Sequence, residues 1–338
     1  MMTKSSLFKV FVTVSALACM AATHAPKRLP RLQADAASVS VSGLSSGAFM
    51  AVQYDVAYSA STIGVGVVAG GPYNCAYVNA GGIATCMQGS PVGALSYDAA
   101  LGFAGLGQID APDNLKRGKV YLFSGTNDTV VNPTVMNAVR DFYRAAAVPV
   151  ANILYVNDLP AGHAFISADF GKPCATNADP YVNQCTVGGK LYDQAGAILQ
   201  QIYGPLQPKS KTLSTQPTAF DQTAFGSDPA GMAKTGYVYI PKACRTSSGK
   251  GCRLHVVFHG CKQGAGAVHD DVYGKAGYNE WADANRIIVL YPQVDPSAVP
   301  VNPDGCWDWW GYTGLSFQTQ WGPQLAAVKA MVDRLTGK

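Results

Sequence analysis

Ser38-Val-Ser-Val-Ser-Gly-Leu-Ser-Ser-Gly-Ala-Phe-Met-Ala-Val-Gln-Tyr54 is the stretch on which the fold of this chain turns. Its first residues alternate serine and valine, the period of a strand, and from Ala48 onwards it opens a helix. Between the two, Gly43-Leu44-Ser45-Ser46-Gly47 fits Gly-x-Ser-x-Gly. A strand that runs through such a pentapeptide into a helix must turn sharply, and the turn projects its central serine outwards. A serine presented in this way, with a base beside it, attacks carbonyl carbon. In a chain with 36 glycines a Gly/Ser-rich turn is also ordinary, so the motif needs partners.

The partners follow downstream. Val120-Tyr-Leu-Phe-Ser-Gly-Thr-Asn-Asp128 reads as a strand ending in a loop that carries an acid, and Ile153-Leu-Tyr-Val156 leads to Gly162-His163-Ala164. Ser, then Asp, then His is the chain order of an α/β-hydrolase triad. Ser45 is the expected nucleophile, His163 its base, and Asp128 the group that sets the histidine tautomer. Plainer readings stand beside these. Asn127-Asp128-Thr129 is good turn chemistry, and Asp158 is a rival acid. His255 and His259 would make metal ligands only on a shared face; no metal and no cofactor is expected.

Around these residues strand-like and helix-like segments alternate. Strands are expected at 37–42, 63–69, 119–124, 153–156, 236–240, 254–258 and 287–291, and helices at 48–59, 133–147, 191–203, 273–285 and 320–335. Such alternation points to an α/β class: a mostly parallel sheet with helices on both faces. Residues 26–338 are read as one catalytic domain, with the polar, irregular stretch Gly204 to Pro229 a connection inside it.

The oxyanion hole of this fold uses the amide after the nucleophile, here Ser46, and a second amide from the loop after an upstream strand, often of His-Gly-Gly type. Too little chain precedes Ser45 to supply that strand. The matching element lies late, at Leu254-His-Val-Val-Phe-His-Gly-Cys261, followed by a helix, the strand at 287–291 and an amphipathic helix. The economical explanation is circular permutation, with the ancestral ends joined through 204–236.

Residues 1–25 read as an export signal: Lys4 and Lys9, an apolar run from Val10 to Ala22, then Thr23-His-Ala25 as a small-x-small cleavage site. The run is too short to anchor the chain in a membrane. Export leaves eight of the nine cysteines, an even number that favours disulfides over metal. Many pairings are open; spacing suggests the local pairs Cys75 with Cys86, Cys174 with Cys185 and Cys244 with Cys252, and Cys261 with Cys306 would then be the long one. The expected location is outside the cell or in the periplasm. With 14% charged residues and a net charge of +4, the chain shows no basic face for nucleic acid. Oligomeric state leaves no mark.

Gly-Leu-Ser-Ser-Gly, Gly-Thr-Asn-Asp, Gly-His-Ala, the late Phe-His-Gly-Cys and Cys306-Trp-Asp-Trp-Trp310 together resemble the poly(3-hydroxybutyrate) (PHB) depolymerases, specifically the single-domain kind with a circularly permuted α/β-hydrolase fold. The resemblance implies the triad Ser45, Asp128 and His163, oxyanion amides at Ser46 and Cys261, and a polyester partner. Many members of that family also carry a linker and a separate polymer-binding domain. On the substrate side, Trp307, Trp309, Trp310 and Tyr312 are the expected contacts, since aromatic faces suit a water-poor polyester. Tyr73 and Tyr77 are weaker candidates for the rim. The expected activity is hydrolysis of a short-chain polyhydroxyalkanoate through an acyl-enzyme. Two other readings fit the residues: a general secreted carboxylesterase for acyl or feruloyl groups on polysaccharide, and a non-catalytic polymer-binding protein.

Overall fold

Val39–Leu44 forms strand β1, and helix α1, Ser46–Ala57, begins immediately after Ser45. The computed structural model describes residues 27–226 and 231–338, so the expected export signal lies outside the described residues. The remaining strands of the main sheet are β2 (Thr62–Val68), β3 (Lys119–Phe123), β4 (Ile153–Val156), β5 (Thr218–Asp221), β6 (Thr235–Tyr239), β7 (Arg253–Phe258) and β8 (Ile287–Tyr291). They lie in the order β5-β6-β8-β7-β1-β2-β3-β4. The pairs from β8 to β4 are all parallel, while β5 and β6 add antiparallel at one edge.

This order explains the apolar runs. β1, β7 and β8 are buried along nearly their whole length, as strands covered on both faces must be. One core gathers Met50, Tyr54, Val65, Val256 and Val328 against α1 and the C-terminal helix Pro323–Thr336; the other gathers Tyr121, Ile198, Val257 and Val289 on the opposite face. The late strands β7 and β8 fill the places beside β1 that the permuted order requires, with Gly43 in register with Phe258.

Two expectations are corrected. The stretch read as an irregular connection contains β5, whose Phe220 buries against Gly236 on the neighbouring strand. A short edge strand needs only that one apolar side chain, so its sequence signal is faint. The helix expected from Tyr273 begins at Tyr278, because Gly277 with φ 95° precedes it. All four suggested disulfides are present: Cys75–Cys86, Cys174–Cys185, Cys244–Cys252 and Cys261–Cys306. Among the described residues no helix is long and apolar enough to cross a membrane.

Candidate active site

Ser45 sits at the C-terminal end of β1 with φ 56° and ψ −124°. A non-glycine residue held there stores on the order of 1–3 kcal/mol of strain, which its surroundings must over-determine. They do so: Ser45 N–H donates to the Val68 carbonyl (3.0 Å), and its own carbonyl accepts from Ala48 and Phe49 at the start of α1 (2.8 and 3.0 Å). The flanking glycines are required for space. A Cβ on Gly43 would lie 2.2 Å from the Gly47 carbonyl oxygen, and one on Gly47 would lie 2.3 Å from that of His259. Neither glycine has positive φ; the serine takes the unusual backbone itself.

Asp128 follows β3 and His163 follows β4, so both reach the same end of the sheet as Ser45. His163 Nδ1 lies 2.8 Å from Asp128 Oδ2, both side chains being buried. The other carboxylate oxygen accepts from the amides of Val130 and Val131 (2.8 and 2.9 Å), which fixes the acid in one orientation. An acceptor at Nδ1 places the imidazole proton there and leaves Nε2 as the basic nitrogen. Asp158, the rival acid, is exposed. Asn177, which sequence reasoning missed, ties the two loops together: its Oδ1 accepts from His163 N–H (2.7 Å) and Thr129 N–H (3.2 Å), and its Nδ2 donates to the Asn127 carbonyl (3.0 Å).

The turn after β7 packs directly on the elbow. A Cβ built on Gly260 would be 3.4 Å from Ser45 Cβ. Val294 N–H donates to His259 Nε2 (3.1 Å), so the proton of this buried imidazole is on Nδ1, which donates to the Gly260 carbonyl (2.7 Å). Burial pushes His259 down to about 4, which keeps it neutral at ordinary pH. Because a trans peptide points its C=O and N–H in opposite directions, holding the Gly260 carbonyl on His259 turns the Cys261 N–H the other way. Cys261, Ser45, Ser46 and His163 all line one cavity. His255 plays no part in it: it lies buried between Ser40 (2.7 Å) and Ser42 (2.8 Å), and burial drives it down to about 3.

No protein-family model matches the chain. A poly(3-hydroxybutyrate) depolymerase of Delftia acidovorans is 45% identical over 95% of the chain, and a polyhydroxybutyrate depolymerase of Talaromyces funiculosus is 37% identical over 93% of the chain and 94% of its own length. The crystal structure of the Penicillium funiculosum PHB depolymerase superposes with a TM-score of 0.83 at 37% identity, covering 92% of this chain and 99% of that one. The chain belongs to the PHB depolymerase family. It spans 64% of the length of the Delftia relative. A further PHB depolymerase structure, a serine-to-alanine variant complexed with an R3HB trimer, superposes with a TM-score of 0.84 at 36% identity.

In this member of the depolymerase family the cavity has a volume of about 390 Å³, and most of its wall is apolar: Phe49, Ile83, Met87, Val130, Trp309 and Trp310. Phe49 and Trp309 stack at 4.1 Å and 15°, backed by the Cys75–Cys86 disulfide. The aromatic expectation therefore divides. Trp309 and Trp310 line the cavity, but Trp307 is fully buried against Phe258 and His259 and does not face it. Tyr312 is also turned away, its hydroxyl donating to the Cys306 carbonyl (2.6 Å). The reason is Asp308, whose carboxylate accepts from the amides of Trp310, Gly311, Tyr312 and Thr313 and wraps the loop around itself. Tyr73 is buried with its hydroxyl on the Gln318 carbonyl, and Tyr77 packs on Phe317, so neither reaches the cavity.

Proposed function

We propose that this chain is a secreted serine esterase that cleaves the ester bonds of poly(3-hydroxybutyrate) through an acyl-enzyme. One observation carries the reading: His163 stands between Asp128, 2.8 Å from its Nδ1, and a cavity that Ser45 also lines. Ser45 Oγ attacks the ester carbonyl as its proton passes to His163 Nε2. The oxyanion that forms is met by the amides of Ser46, unpaired in the first turn of α1, and Cys261. Collapse expels the alcohol of the adjoining unit, protonated by His163, and water repeats the sequence on the acyl-serine. Asp128 holds the tautomer throughout. The chemistry asks nothing of a metal or cofactor.

The apolar wall suits a polyester with methyl side groups and no charge along its interior. Ile83, at the cavity and 43% exposed, continues this character outwards. Four disulfides accord with an oxidising compartment, hence export. The test uses PHB granules and a soluble p-nitrophenyl ester in parallel. Wild type clears the granules, and Ser45→Ala, with unchanged melting, does not. Soluble-ester turnover without clearing favours the general carboxylesterase, and clearing by Ser45→Ala removes the assignment.

A further inference from the structure

The turn that carries Cys261 and the loops around His163 come from parts of the chain about a hundred residues apart, and one buried side chain joins them. Gln263 is 1% exposed. Its Oε1 accepts from Gly260 N–H (2.7 Å), and its Nε2 donates to the carbonyls of Pro180 (2.8 Å) and Tyr181 (3.0 Å). The amide can sit only this way round, because the Gly260 N–H only donates and the two carbonyls only accept. The Tyr181 carbonyl also accepts from Phe165 N–H (2.9 Å), two residues beyond His163, and the Tyr181 ring meets the His163 ring edge-on at 6.1 Å. An unbroken run of hydrogen bonds thus connects Gly260, Gln263, Tyr181 and Phe165.

On the reading that Ser45 is the nucleophile and Cys261 an oxyanion donor, we infer that Gln263 is a positioning residue that keeps the oxyanion turn in register with the catalytic histidine. The two groups act on opposite sides of one event. His163 must accept the Ser45 proton while the Cys261 amide receives the charge that develops on the carbonyl oxygen. His259 fixes the Gly260 carbonyl from one side of the turn, and Gln263 fixes the Gly260 N–H from the other and refers it to the histidine side of the cavity. Displacement of catalytic groups by about 1 Å can cost on the order of 100-fold in rate, with ground-state binding little affected. Gln263 does not itself line the cavity, so its loss leaves the binding wall intact.

Gln263→Leu removes both connections. Gln263→Met, unbranched and of similar length, likewise offers neither a carbonyl acceptor to Gly260 nor a donor to the two carbonyls. The measurements are kcat and KM on a soluble 3-hydroxybutyrate oligomer, together with affinity for a boronic acid that forms a tetrahedral anion on serine. Both variants are expected to lose about 100-fold in kcat with KM within threefold, and to bind the boronate correspondingly more weakly. Wild-type kcat in either folded variant, a change confined to KM, or failure of both variants to fold would overturn the inference, the last because the amide would then be holding the fold and not the site. An inactive wild type, or activity that survives Ser45→Ala, would instead strike the reading on which the inference rests.

Discussion

Replacing His259 with leucine isolates the contribution of one peptide plane. The imidazole does two things at once, donating from Nδ1 to the Gly260 carbonyl at 2.7 Å and accepting at Nε2 from Val294 N–H at 3.1 Å. Leucine leaves both backbone groups buried without those partners, at about 1–3 kcal/mol each, so melting should fall by the equivalent of about 2–6 kcal/mol. Freed from His259, the Gly260–Cys261 peptide can rotate and take the Cys261 N–H away from the cavity. Loss of one oxyanion donor costs about 100- to 1,000-fold in kcat. His259→Asn restores a donor near the position of Nδ1 and should recover kcat to within about tenfold of wild type, although the Val294 bond is not remade. Hydrolysis of p-nitrophenyl butyrate gives kcat and KM, and thermal melting separates folding from function. A His259→Leu enzyme with wild-type kcat, or an asparagine variant no better than leucine, would refute the reasoning. The same residue sets an acid limit. Its folded value, about 4, lies below the ordinary 6.5, so its contribution to stability is complete above about pH 6.5 and is lost as pH falls towards 4.

Asp55, buried on α1 with Tyr143 as its hydrogen-bond partner, works in the opposite direction: burial raises it from 3.8 to about 7, so the fold loses stability as pH rises from about 4 to 7. Asp55→Asn should raise melting at pH 8, by at most about 4 kcal/mol and by nothing below pH 4; equal effects at both pH values would contradict this. Trp309→Ala unstacks Phe49 from the cavity wall and should raise KM for hydroxybutyrate oligomers far more than for p-nitrophenyl acetate, at a stability cost of about 3 kcal/mol. Equal KM changes for the two substrates would remove Trp309 from the binding surface. Converting Cys261 and Cys306 to alanine opens a 45-residue separation and should cost about 4 kcal/mol in denaturant unfolding, with kcat reduced as the turn loosens. An unchanged kcat would show that hydrogen bonds alone hold the turn.

Much of this architecture is legible before any coordinates. The strands are buried on both faces, so Val39–Leu44, Arg253–Phe258 and Ile287–Tyr291 write themselves as apolar or small-residue runs. The elbow is legible because close approach leaves only glycine at positions 43 and 47. Even the permuted order can be read, because the strand that pairs with β1 on the side away from β2 lies far downstream, at Arg253–Phe258. The rest depended on tertiary context. Trp307 and Trp309 are equally apolar neighbours in an aperiodic loop, and which of them faces the cavity is decided by Asp308 gathering the amides of residues 310 to 313. The helices Gly82–Gln88 and Gly93–Gly105 lack a polar stripe, yet the first carries Ile83 and Met87 into the cavity wall. Asn177 and Gln263 look like ordinary loop amides until the segments they bridge are brought together.

The central claim is that Ser45 is an activated nucleophile, and covalent labelling reads that property directly. After treatment with an alkyl fluorophosphonate, the account predicts one adduct per chain, mapped by peptide mass to Ser45, with PHB hydrolysis falling in proportion to labelling. An unlabelled Ser45, an adduct on another residue, or hydrolysis that persists in fully labelled protein would contradict it.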